Sequence, residues 1–150
     1  MKDIFLFLVL YLVFTPLLHS QNLPPDDNQR KQIEILIDKY SQAREKRDTV
    51  LLKNILMPEV DQLVSTGEWR NGIAASVKGM LQSSTNSPEA RTLKIEKIRL
   101  LKPNSAIVDC KYEIQNSDGT PRKMWSTFIV VSEKGIWKIS AIRNMLPSGQ

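Results

Sequence analysis

From Ala106 onward the chain alternates apolar and polar residues one for one. Ala106, Val108, Cys110, Tyr112 and Ile114 are interleaved with Asp109, Lys111, Glu113 and Gln115. A period of two sends each set to one face of a strand, so this run predicts a half-buried β-strand. Similar runs flank it: Thr92 to Leu101, Arg122 to Val131 and Ile136 to Asn144. Short turn sequences join them: Pro103-Asn104-Ser105, Asn116-Ser117-Asp118-Gly119 and Ser132-Glu133-Lys134-Gly135. Asp-Gly supplies the positive φ that a tight hairpin needs. Four strands joined this way predict an antiparallel meander. In the first run the apolar phase slips between Ile95 and Ile98, which predicts a bulge near Glu96-Lys97.

The region before these strands has a different period. Ile33, Leu36, Ile37, Tyr40 and Ala43 recur at helical spacing, and Asp26 or Asp27 can cap the helix that carries them. Asp48 caps a second, short helix with Val50, Leu51, Leu52, Ile55 and Leu56, ended by Pro58. Val60 to Thr66 reads as a short edge strand closed by Gly67. Asn71 caps a third helix, Gly72 to Gln82, with Ile73, Ala74, Val77 and Leu81 inward. Ser83 to Pro88 is loop chemistry. Helices first and strands later define an α+β class.

The first 20 residues have another purpose. Ile4 to Phe14 is an unbroken apolar run, interrupted by Thr15-Pro16 and followed by Leu17-Leu18-His19-Ser20. Crossing a bilayer takes about 20 apolar residues, and a cleavable export signal about 7–15. The run fits the signal, with the cut after Ser20. Lys2 and Asp3 leave together, so the mature chain keeps the net charge of +5. The expected organisation is a signal peptide over 1–20, a flexible lead-in over 21–28, and a single domain over 29–147. The product is exported, to the periplasm or the medium. A membrane enters only if the signal stays attached. About 130 residues bury a core without staples. The single cysteine, Cys110, allows no intrachain disulfide, which for an exported chain points to a bacterial source.

Cleavage also removes His19, the one histidine. The mature chain therefore has no histidine for a nucleophilic triad, a general base or a metal site. No metal and no cofactor are expected. Any proton transfer falls to Asp, Glu, Tyr or Lys. Arg30, Lys31, Lys39, Arg44, Lys46, Arg47 and Lys53 alternate with Glu34, Asp38, Glu45 and Asp48. That is a solvated helix face, with Arg44 and Asp48 as an i,i+4 pair. It lacks the clustered basic residues and aromatics of a nucleic-acid surface.

Three pieces in this order resemble the nuclear-transport-factor-2-like superfamily, in its SnoaL-like bacterial branch. They are Arg47-Asp48-Thr49-Val50-Leu51-Leu52 leading to Met57-Pro58, then Thr66-Gly67-Glu68-Trp69-Arg70-Asn71-Gly72 before a helix, and the closing Gly135-Ile136-Trp137-Lys138-Ile139. The resemblance implies a cone-shaped, strongly curved antiparallel sheet wrapped round about three N-terminal helices, with an apolar pocket. It also implies a common tendency to form homodimers. Members include isomerase-like enzymes and non-catalytic binding domains, so the fold leaves function open.

The isomerase-like members use a carboxylate base with a tyrosine and a protonated carboxylic acid. Asp61 is the candidate base here, with Tyr40 or Tyr112 as donor. The competing reading makes Asp61 a solvated position on its strand. Asp109 lies on the face opposite Tyr112 and cannot share a pocket with it. Trp69 is either a rim residue or packs over the third helix. Cys110 is either a ligand contact or a small buried hydrophobe. Ser126, in phase with Met124 and Phe128, brings a hydroxyl to the inner face. The expected lining for a small apolar or amphipathic ligand is Tyr40, Trp69, Cys110, Tyr112, Ser126 and Phe128. The favoured expectation is a binding or dimerisation domain without catalysis; the alternative is an isomerase or cyclase that uses Asp61.

Overall fold

The computed structural model describes residues 24–86, 91–115 and 118–147. The export signal, residues 21–23 of the lead-in, Ser87-Pro88 and the Asn116-Ser117 half of the hairpin turn lie outside the described residues.

Helix α1 spans Asp27–Glu45. The Asp26 carboxylate accepts from the Gln29 amide N–H at 2.7 Å, and the Gln29 side chain accepts from the Asp26 N–H at 3.2 Å. This reciprocal cap satisfies two donors that the first turn would otherwise leave free. The expected apolar residues of α1 are all buried, and Arg44 is buried with them. Arg47 turns the chain at φ 54°, and Asp48 caps α2, Thr49–Ile55, by accepting from the Leu51 N–H at 2.9 Å. Arg44 and Asp48 therefore do not form the expected surface pair: one is in the core and the other is a cap.

Strand β1 spans Leu56–Leu63. It starts earlier than expected and runs through Pro58, which was read as a helix stop. Its pairing with the last strand shifts register between Leu56 and Asp61. Proline has no N–H for a ladder bond, and such an irregularity is where a strand tolerates it. The tight turn at Gly67, φ 89°, leads to β2, Trp69–Asn71, which pairs antiparallel with β1. Asn71 is thus a strand residue, and β1 is not an edge.

Helix α3 spans Gly72–Asn86, so Ser83, Ser84 and Thr85 are helical rather than loop. Ser76, Val77 and Met80 are buried, while Ala74, expected inward, is exposed. Ile73, Val77 and Leu81 pack toward the core as expected.

The meander follows as β3 Arg91–Lys102, β4 Ser105–Gln115, β5 Pro121–Glu133 and β6 Ile136–Met145. The β3–β4 register jumps between Ile95 and Lys97, which is the bulge that the phase slip predicts. The sheet order is β2-β1-β6-β5-β4-β3. Every pair is antiparallel except β1–β6, which is parallel. The sheet is therefore mixed and curves round the helices.

One face of the sheet meets the helices. Val60, Val108, Cys110, Phe128, Val130 and Ile139 form a single apolar cluster there with Ile33, Ile37, Leu52 and Met80. A second bulge in β6 sets what the other face carries. Val130 pairs with Ile139 and Ile129 with Ala141, leaving Ser140 unmatched. Beyond it Ile142 points inward, and Arg143 and Met145 point outward.

Candidate functional site

The candidate residues separate onto the two faces of the sheet. On the inner face, Tyr40 and Phe128 meet edge to face with ring centroids 5.1 Å apart. Both are buried, as are Cys110 and Ser126. Ser126 donates to the Asn144 side chain at 2.7 Å, its register partner across β5–β6. Burial, helped by the neighbouring Asp109, pushes the Cys110 thiol up to about 12. It is a neutral core group, since a reactive thiol needs a lowered pKa and exposure.

Arg44, which the sequence reading assigned to solvent, lies deep in this inner region. Its Nη1 donates to the Tyr40 hydroxyl at 2.9 Å and its Nε to Ser84 Oγ at 3.3 Å. The nearby Tyr112 hydroxyl, with that of Tyr40, favours the charged form of Arg44 against the cost of burial. Tyr112 also accepts from Arg91 Nη1 at 2.7 Å, and Arg91 Nη2 donates to the Ser83 carbonyl at 2.8 Å. Burial raises the Tyr40 pKa, against the opposing pull of Arg44, so the phenol stays protonated. The sequence carried a signal for this cluster. Arg44 follows Tyr40 and Ile37 at helical spacing, on the same side as the apolar residues.

On the outer face, Asp61 is held by Arg143. Nη1 and Nη2 of the arginine donate to the two carboxylate oxygens at 2.9 and 3.0 Å. The same guanidinium lies 4.8 Å from the centre of the Trp69 ring. Trp69 is exposed and stacks on Arg143 instead of packing over α3. Next along the face, Thr127 donates to Asp109 at 2.7 Å. Trp125 lies beneath Lys111, whose Nζ is 5.7 Å from the ring centre. A cleft of about 400 Å³ runs between Glu96, Lys97, Asp109, Trp125, Thr127 and Met145.

Two other clefts lie away from both clusters. One of about 430 Å³ separates α1 and α2 from the start of β6, lined by Gln32, Leu36, Leu51, Ile136 and Trp137 among others. Another of about 400 Å³ lies between Pro24, Gln29 and Leu100 to Pro103. The predicted lining residues border none of these three clefts. The sheet therefore brings together Tyr40, Cys110, Tyr112, Ser126 and Phe128 on its inner face, and separates Asp61 and Trp69 from them. Among the described residues no group of His, Cys, Asp and Glu is arranged to hold a metal ion. Among them, too, no helix is long and apolar enough to cross a membrane.

No protein-family model matches the chain, and no curated protein sequence matches it. Solved structures do. An NTF-2-like protein of unknown function from Shewanella oneidensis superposes with a TM-score of 0.66 at 16% identity, covering 77% of this chain and 98% of that one. A protein of unknown function with a cystatin-like fold from Nostoc punctiforme gives 0.70 at 10% identity, covering 85% and 97%. An NTF2-like protein with a cystatin-like fold from Novosphingobium aromaticivorans gives 0.65 at 17%, covering 81% and 83%. The likeness is one of architecture, not of sequence: the chain has the NTF2-like, cystatin-like fold.

Proposed function

We propose that this is an exported bacterial binding domain without catalysis, taking a small apolar or amphipathic molecule at the Tyr112 end of its inner face. The observation that carries this reading is a step in burial. Tyr40 and Arg44 are buried, while Tyr112 and Arg91, bonded to each other above them, are half-buried. Polar groups that converge at the open side of an apolar interior are what orient a ligand. The isomerase reading draws little support. A general base must reach its substrate with a free oxygen, and both oxygens of Asp61 are taken by Arg143 on the opposite face.

A second reading, compatible with the first, is that two copies pair through the outer face. Trp69, Trp125 and Met145 are exposed there, interspersed with the Arg143–Asp61 and Lys111–Glu96 pairs. Aromatic residues, Met and Arg are enriched at protein interfaces, and charged groups gather at their rims.

Native mass spectrometry of protein purified from the exported fraction tests both. A bound small molecule on a dimer is expected, with a mature mass that begins at Gln21. A bare protein under conditions that keep other complexes intact overturns the ligand reading. A monomer overturns the pairing, and an intact N-terminus overturns the cleaved signal.

A further inference from the structure

The cleft of about 430 Å³ lies where α1 and α2 meet the tight turn that opens β6. Its size is within the range of small-molecule sites. The turn is made by Lys134 and Gly135, at φ 52° and 80°, a left-handed pair that folds β6 back along β5. Ile136 after the turn and Ile35 of α1 both line the cleft, 64% and 43% exposed. Leu36, Leu51 and Ile55 complete the apolar lining from the two helices. Large apolar side chains left open together on one concave surface mark a binding site.

Two donors in this cleft lack acceptors. Trp137 is only 8% exposed, yet its indole N–H has no hydrogen-bond partner among the described residues. A buried tryptophan usually finds one. The N–H is not sealed off, because among the described residues every polar side-chain atom closed from solvent is hydrogen-bonded. It therefore meets solvent, and Trp137 meets it as part of the cleft lining. Lys39 is the one charged side chain in that lining, and it has no ion-pair partner among the described residues. An ammonium and an indole N–H can only donate. Gln32 and Asn54 are the other polar side chains there, and their amides can donate or accept. The cleft thus offers donors and a positive charge, with no anion to answer them.

We propose that this cleft takes a small carboxylic acid with an apolar body, at a site separate from the inner face. The carboxylate meets the Lys39 ammonium and the Trp137 N–H, and the body covers Ile35, Leu51 and Ile136. Burial of those side chains supplies most of the affinity, and the two donors select the charged end. A neutral analogue keeps the apolar contact and loses the charge. A bare small anion keeps the charge and loses the contact.

Isothermal titration of the full chain with 4-phenylbutyrate, 4-phenylbutan-1-ol and acetate tests this. The acid is expected to bind about fivefold more tightly than the alcohol, as one partly exposed charge pair allows. Acetate is expected to bind too weakly to register. Lys39→Met keeps the apolar stem and removes the charge, and should bring acid and alcohol to equal affinity. Trp137→Phe keeps an aromatic ring and removes the N–H, and should weaken the acid about fivefold. Circular dichroism checks that both variants fold. Equal binding of acid and alcohol by the parent would overturn the carboxylate site. Acetate binding as tightly as 4-phenylbutyrate would overturn the apolar requirement. A folded Lys39→Met that keeps the parent's preference would place the acid elsewhere, and would sink this site while leaving the inner-face reading standing. If no probe binds, the cleft site falls, and the inner-face reading is decided separately by native mass spectrometry.

Discussion

Arg143 reaches from β6 to hold both carboxylate oxygens of Asp61 on β1, at 2.9 and 3.0 Å. The two residues lie 82 positions apart in the chain, at the parallel joint between the N-terminal strand and the meander. Two parallel N–H···O bonds fix both distance and angle. Both side chains are partly exposed, however, at 27% and 36%, so water reduces what the pair contributes. Asp61→Asn is expected to cost about 1 kcal/mol and lower the melting temperature by a few degrees. A double-mutant cycle with Arg143→Met checks it; a coupling energy indistinguishable from zero would show the pair to be incidental.

The Tyr40 hydroxyl accepts from a buried guanidinium, and removing it leaves that charge short of a partner. Tyr40→Phe is expected to destabilise by about 2 kcal/mol. Adding Arg44→Met removes the orphaned charge and should recover part of the loss. Urea denaturation of the single and double variants measures this. A double variant no more stable than Tyr40→Phe alone would contradict it.

Phe128 is fully buried and meets the Tyr40 ring edge to face. Phe128→Ala opens a cavity at the centre of the inner face. The expected cost is about 3–5 kcal/mol, a large part of the stability of a domain this size. The urea midpoint is the readout, and a loss below about 1 kcal/mol would mean that the core collapses freely round the gap.

Alkali should weaken the fold through Cys110. Its folded pKa, about 12, is above that of a free thiol, about 8.5. The folded state therefore holds the proton more tightly than the unfolded state. The resulting stability is complete below the free-thiol pKa and is lost as pH rises through the folded value. Cys110→Ala should show a shallower decline in stability between pH 9 and about 12 than the parent. The thiol of the native parent should also resist iodoacetamide at pH 8 and react in urea. Rapid native labelling would refute its burial.

Pairing through the outer face predicts that one charge placed there separates the copies. Trp125→Glu introduces a negative group beside Asp109 and Glu96, in the cleft that the three residues share. Sedimentation is expected to move from dimer to monomer, with the melting curve of the monomer unchanged. A variant that sediments as the parent does would locate any dimer contact elsewhere.

The regular parts of this fold were readable because their causes are local. The period of two along β4 and β5, the Asp26 and Asp48 caps and the β3 bulge each depend on a few neighbouring residues, and each is found as expected. Pro58 and the serines at 83 and 84 were misread for the opposite reason. Pro58 is accommodated by an irregular pairing with β6, and Ser83 and Ser84 are held by Arg91, Arg47 and Arg44 from other elements. Arg44 was the largest miss. Charge alone assigned it to water, although its helical phase matched Ile37 and Tyr40.

The sequence by itself determined helices α1 to α3 and strands β1 and β3 to β6 in their order, the inner faces of β4 and β5 and the absence of histidine beyond His19. Periodicity, capping and turn chemistry act over a few residues, so a reading along the chain recovers them. Only the tertiary structure decided that β1 joins β6 in parallel, that Ser140 is left unmatched and sends Arg143 to the outer face, and that Asp61 is bound there. It also decided that Arg44 is buried against Tyr40 and Ser84, with no carboxylate partner among the described residues. These relationships connect residues distant in sequence. They are set when the sheet closes round the helices, where packing and charge compensation across elements outweigh local preference.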